Sequence, residues 1–281
     1  MPVGCVVGSA DATKTDNSPA MTAPIIFDRG LYAKRRLRAE RTDKKSFLVR
    51  HAAENLSERI GAAKPRFRSA LDLNSRRESF DLLAVHAEDW VRTGLHPRSR
   101  AGSLVGDEEA LPFARHSFDL VVSVLGLHAV NDLPGALVQI RRTLAPGGLF
   151  IAALFGGATL TELRRAFASG EAEETGGASP RVAPFADVRD MGALLQRAGF
   201  ILPVADVDSL TVRYSAFASV VDDLRALGET NALALGSRRF LLRRALSAAL
   251  ESYRQNDISD GKLTATFDII YVTGWAPDRD V

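Results

Sequence analysis

Two short apolar runs, residues 118–125 (FDLVVSVL) and 149–154 (LFIAAL), are separated by a helical stretch that opens in LGLHAVNDLPG and runs through residue 144. No other feature limits the fold of this chain more. Strands separated by helices imply a parallel sheet with right-handed crossovers. The alternation continues in both directions. Residues 67–73 read as a buried strand, 78–87 as a helix, 89–93 as a weak strand and 101–105 as a further strand. APGG at 145–148 is a turn, GG at 156–157 opens a helix, and 187–198 is a helix that ends at Gly199. Residues 201–214 are extended, as one strand or a pair, and 215–255 are helical. The last run, TFDIIYVTGW (266–275), alternates and suits an antiparallel edge of an otherwise parallel sheet. The expected class is α/β, with a mostly parallel Rossmann-like sheet and helices on both faces.

The chain has 281 residues, enough for one large α/β domain or two small ones. Residues 8–20 have the composition of a disordered tail, so the expectation is a tail over 1–24 and a single domain over 25–276. The first residues carry no basic n-region, which argues against a secretory signal. The apolar segment that a lipobox needs before Cys5 is missing. Cys5 is the only cysteine, which excludes an intramolecular disulfide framework and fits a reducing compartment. A net charge of +2 demands neither nucleic acid nor a membrane surface, and no apolar run is long enough to span a bilayer.

Residues 28–60 form a basic helical arm with Leu31, Leu37, Phe47, Leu48, Leu56 and Ile60 as its apolar stripe. Nine Lys and Arg residues between Arg29 and Arg50 face only Glu40 and Asp43. The bland reading is a solvated face, and the sharper one is a docking surface for an acidic partner. Gly61 and Pro65 stop the arm. Residues 169–186 are Gly/Pro-rich and long enough for a lid over a site, with an ordinary surface excursion the equal alternative.

The densest chemical signal is GDEEALPF (106–113) followed by FDLVVSVLGLHAVNDLPGALVQIRRTLAPGGLFIAAL (118–154). With FDR (27–29), FGGATLTELR (155–164), SPRVAPFADVRDMGALLQRAGF (179–200) and YVTGW (271–275), it resembles the class I S-adenosylmethionine (SAM)-dependent methyltransferases. Within them it looks most like the mitochondrial respiratory complex I assembly factors of methyltransferase fold and their bacterial relatives. These are similar in turn to the biotin-pathway malonyl-carrier-protein methyltransferases. The resemblance covers 27–275 and implies a seven-stranded sheet with an antiparallel last strand.

It also implies a site. Ligands of open α/β sheets lie at the C-terminal ends of the strands, near the switch in strand order. Asp72 matches the acid of the family's first motif, and Asp107, with Glu108 beside it, the acid that accepts from the adenine amino group. Ser123, Val124 and Leu125 are then expected to line the methionine pocket, and His128 to touch ligand or substrate unless it is structural. Three positions depart from the motif, for Asn74, Arg76 and Glu78 replace its glycines. Asn tolerates the left-handed conformation that glycine permits, so Asn74 can keep the turn. Arg76 and Glu78 either point outward or fill the pocket. At the end of the second strand, DWVRTGLHP offers Arg92, Thr93 and Gly94 but no ribose-binding acid beyond Asp89. Such a loss removes a charge-assisted hydrogen bond of about 1.5–3 kcal/mol, or one to two orders of magnitude in affinity. Ala129 stands where many relatives carry an aromatic residue after the histidine.

Other chemistries have little support. No CxxC or HxxxH supplies metal-ligand spacing, Ser123 lacks the G-x-S-x-G setting, and there is no dinucleotide fingerprint. Three functions follow from the resemblance: a SAM-dependent methyltransferase-type enzyme acting on a protein, an assembly factor with a degenerate SAM site, or a carrier-protein methyltransferase. The partners implied are a complex I subunit or an acyl carrier protein, with no nucleic acid and at most peripheral membrane contact. The place implied is the bacterial cytoplasm, at most peripheral to the inner membrane.

Overall fold

A computed structural model describes residues 25–42, 44–64, 66–96, 104–235 and 241–278. The 1–24 tail, Asp43, Pro65, residues 101–103 of an expected strand and 236–240 of the expected helical stretch lie outside the described residues. α1 (Arg29–Glu40) and α2 (Phe47–Ala63) precede β1 (Phe67–Asp72) and α3 (Arg77–Leu83). Then come β2 (Ala87–Gly94), β3 (Leu104–Val105), β4 (Phe118–Val124), α4 (Leu133–Thr143) and β5 (Leu144–Phe155). The chain continues through α5 (Thr161–Thr175), α6 (Val188–Arg197), β6 (Ile201–Tyr214), α7 (Phe217–Leu227), α8 (Arg243–Asn256), β7 (Ile258–Ser259) and β8 (Lys262–Trp275).

β4 and β5 are buried along nearly their whole length, so both of their faces must be covered. One apolar layer is closed by Leu48, Leu56 and Ile60 of α2 together with Leu163 of α5 and Leu227 of α7. The opposite layer takes Leu137 and Ile140 of α4 with Met191 and Leu195 of α6. The sheet runs β3-β2-β1-β4-β5-β8-β6, with β7 added on β8. The seven expected strands thus form one path, and two-residue β7 makes an eighth. β1 to β5 pair in parallel. β8 is antiparallel to both β5 and β6, so it lies inside the sheet rather than at the expected edge. Its burial explains this, for Phe267, Ile269, Ile270, Tyr271 and Val272 need cover on both sides. β6, half-exposed along most of its length, takes the edge.

Several expected boundaries move. The arm is two helices, broken after Arg41 and restarted at Ser46. α2 passes through Gly61 and ends at Ala63, capped by Lys64, and Phe47 is exposed rather than part of the stripe. The helix expected over 78–87 ends at Leu83 and tightens into a 3-10 turn, Ala84–His86. The first part of the expected lid belongs to the last turns of α5, and the free loop begins at Gly176. The stretch 215–255 is not continuous, because Gly228 adopts φ 82° and caps α7. α8 then packs on α5 with Gly170 at the crossing, where a Cβ would lie 2.4 Å from the Ala249 nitrogen. Ala245 and Ala249 complete this close approach.

Candidate functional site

From β1 the chain steps outward to β2 and β3, and from β4 it steps the other way to β5 and β8. The switch therefore falls between β1 and β4, whose pairing ends at Asp72 and Val122. The residues expected to form a site gather there. Asp72 is fully buried at the end of β1; its Oδ1 accepts from the Ser75 N–H at 3.2 Å. Asn74 adopts φ 54°, the left-handed conformation that glycine would supply, so the turn survives its substitution. The Ser123 hydroxyl, at the end of β4, donates to the Leu73 carbonyl at 3.2 Å and ties the two strand ends together. Val124 and Leu125 turn their side chains into the core, and Leu125 presents only its carbonyl to the crevice. Glu108 is fully buried just beyond β3, with Asp107 half-exposed beside it.

What lies across these groups is the chain's own cationic side chains. Arg36 of α1 reaches over the sheet and donates to the Asn74 carbonyl at 2.8 Å and to the Leu125 carbonyl at 3.2 Å. Arg29, two turns earlier on the same helix face, binds Asp107 at 2.7 Å, Glu108, and the Ala129 carbonyl at 3.0 Å. Burial would lower the Arg29 pKa, but Glu108 and Asp107 outweigh it and raise the value. Arg92 lies near the end of β2, in the stretch where the resemblance leads one to expect a ribose-binding acid. Its Nε lies 3.4 Å from Asp72, and its guanidinium caps the Phe80 ring at 3.8 Å. Burial pushes the Asp72 carboxyl up to about 6, against the pull of Ser75 and Arg92.

The two other glycine replacements bond to neighbouring helices rather than to the strand ends. Glu78 accepts from the Ser46 N–H at the start of α2, at 3.2 Å. Arg76 pairs with Glu78 at 3.2 Å and donates to the Ala226 carbonyl of α7. The arm is thus a solvated face only in part, because Arg36 is buried and Arg29 nearly so.

His128 follows β4 in a 3-10 turn, and its Nε2 lies 2.9 Å from Glu229, just past α7. Glu229 also accepts from the Tyr32 hydroxyl at 2.9 Å and lies 3.5 Å from Arg36. Burial would raise Glu229, but His128 and then Arg36 and Tyr32 hold it below its ordinary value. Tyr32 is pushed well up by burial and by Glu229. Tyr32, Arg36 and Glu229 were not expected in the site. Glu229 is 101 positions from His128 and carries no motif, so only the packing of α1 and α7 onto the sheet brings it in. Beyond His128 opens a cavity of about 310 Å³, walled by α5, α7 and the loop that carries Val182 and Phe185.

The acids, the turn and the strand ends have the shape that a SAM site needs. The space does not, because Arg36, Arg29 and Arg92 hold the carbonyls and carboxylates that such a ligand must engage. The cleft as arranged therefore does not fit SAM. Among the described residues no group of three His, Cys, Asp or Glu could hold a metal ion, and no helix is long and apolar enough to cross a membrane.

Comparison with known proteins agrees with this architecture. Residues 83–152 match the Methyltransferase domain family. The chain belongs to the class I SAM-dependent methyltransferase family. Among its relatives is the human mitochondrial arginine-hydroxylase NDUFAF5, 38% identical, with 89% of this chain and 76% of the relative aligned. Another is the malonyl-[acyl-carrier protein] O-methyltransferase of Halorhodospira halophila, 36% identical over 84% of each chain. The YcgJ protein of Bacillus subtilis shares the fold, with a TM-score of 0.54 and 12% identity, covering 80% of this chain and 98% of that one.

Proposed function

We propose that this chain acts on a protein partner as an assembly-type factor, and that it works by binding rather than by SAM chemistry. The observation that carries this reading is Arg36, clamped between the carbonyls of Asn74 and Leu125 at the switch point. A buried guanidinium satisfied on several sides leaves its place only at a cost of several kcal/mol. The partner class follows from the relatives, one named an arginine-hydroxylase and one named for an acyl-carrier protein. The resemblance to the complex I assembly factors makes a respiratory subunit the first partner to try.

A second reading is SAM-dependent methyl transfer to a protein or carrier protein. One feature favours it: the backbone frame is intact, with Asn74 in the left-handed turn and Asp72 in place, and side chains alone do the closing. Calorimetric titration of SAM into the folded protein decides between the two. The expected result is no saturable heat at high-micromolar SAM. A dissociation constant tighter than about 100 μM, some 5.5 kcal/mol of binding, overturns the first reading and leaves the second.

A further inference from the structure

We infer that the cavity beside His128 is a binding site for an uncharged apolar group, an aryl ring or alkyl chain, and that it rejects both cations and anions. This goes beyond the function proposed above and stands whether or not SAM binds. The walls are aromatic and aliphatic, among them Phe27, Phe167, Phe185, Phe217 and Leu163. Two lining side chains carry full charge, and each is already matched. Glu229 lies between His128, Arg36 and the Tyr32 hydroxyl. Arg181 binds Glu171, with Nε to Oε1 at 2.9 Å, and both are nearly buried. A ligand carboxylate would meet Arg181 only by competing with Glu171, and a ligand cation would meet Glu229 only by competing with Arg36. Neither entering charge finds an uncompensated partner, and burying an unpaired charge is strongly unfavourable. An apolar group enters against aromatic faces without that cost. A cavity of about 310 Å³ is the size class of small-molecule sites.

The test uses four probes of one shape: p-xylene and p-cresol, both uncharged, 4-methylbenzylammonium and 4-methylbenzoate. Binding to the full chain is followed by ligand-observed NMR, with calorimetry for the soluble probes. The two uncharged probes should bind, and each charged probe should bind at least ~10-fold more weakly. Val221→Trp, which fills the cavity from α7, should abolish binding, and Ala183→Trp provides the same block from the opposite loop. Circular dichroism identifies whichever variant folds. Equal affinity for a charged probe, no saturable binding of either uncharged probe, or unchanged binding in a folded Trp variant overturns the inference.

Discussion

Asp72 holds a carboxyl group in a fully buried position, and its behaviour with pH follows from that. Its folded pKa of about 6 lies above the value of about 4 expected in the unfolded chain. The folded state therefore binds this proton more tightly. The resulting stability is fully present below about pH 4 and is lost as pH rises through about 6. Asp72→Asn removes that dependence while keeping an oxygen for the Ser75 N–H. Urea denaturation at about pH 4.5 and about pH 7.5 should show the variant gaining about 2 kcal/mol on the native chain between the two. A difference that stays constant would mean that Arg92 fully compensates the charge. At this scale the sequence was half legible. Asp72, Asn74, Ser123 and Leu125 lie at or just past the ends of β1 and β4, and Asp107, Glu108 and His128 a few residues beyond β3 and β4, so their places in the fold followed from the strand pattern. Arg36 was not, because a basic arm on paper has no direction. Only its seat on two carbonyls marks it as internal.

α1, α5 and α8 show what whole elements add. α1 lays Arg29, Tyr32 and Arg36 along one face and so spans the crevice from Glu108 to the Asn74 carbonyl. α5 and α8 wall the cavity and depend on Gly170, where the helices touch backbone to backbone. A side chain there must push α8 away. Gly170→Val should cost about 2–3 kcal/mol in thermal or urea denaturation, in the range of overpacked cores. A cost below about 0.5 kcal/mol would show that α8 is free to shift. Element type was legible from apolar periodicity for almost every strand and helix of the core. Boundaries were less so where a cap overruled the pattern, as at Gly228. The place of β8 was hidden for another reason. Alternation marks an antiparallel strand but does not say whether one neighbour or two will pair with it.

Taken whole, the molecule keeps the methyltransferase architecture and changes the contents of its crevice. The missing glycines looked like the defect in the sequence. On the binding-only reading proposed above the obstacle is Arg36 and Arg92 instead, since Glu78 binds the start of α2 and Arg76 crosses to α7. Restoring glycine at Asn74, Arg76 and Glu78 should therefore leave SAM binding as weak as before in a calorimetric titration. Adding Arg36→Ala and Arg92→Asp should raise affinity at least ~10-fold, by freeing two carbonyls and supplying a ribose acid. Tight binding by the glycine variant alone would return the fault to the turn.

The bridging guanidinium of Arg36 has one more consequence. Many proteins reach full rigidity only when a metabolite completes their interior, and their lifetime in the cell follows its supply. Here the keystone is covalently part of the polypeptide. Its persistence should be indifferent to how much activated methyl donor a starving or growing cell contains.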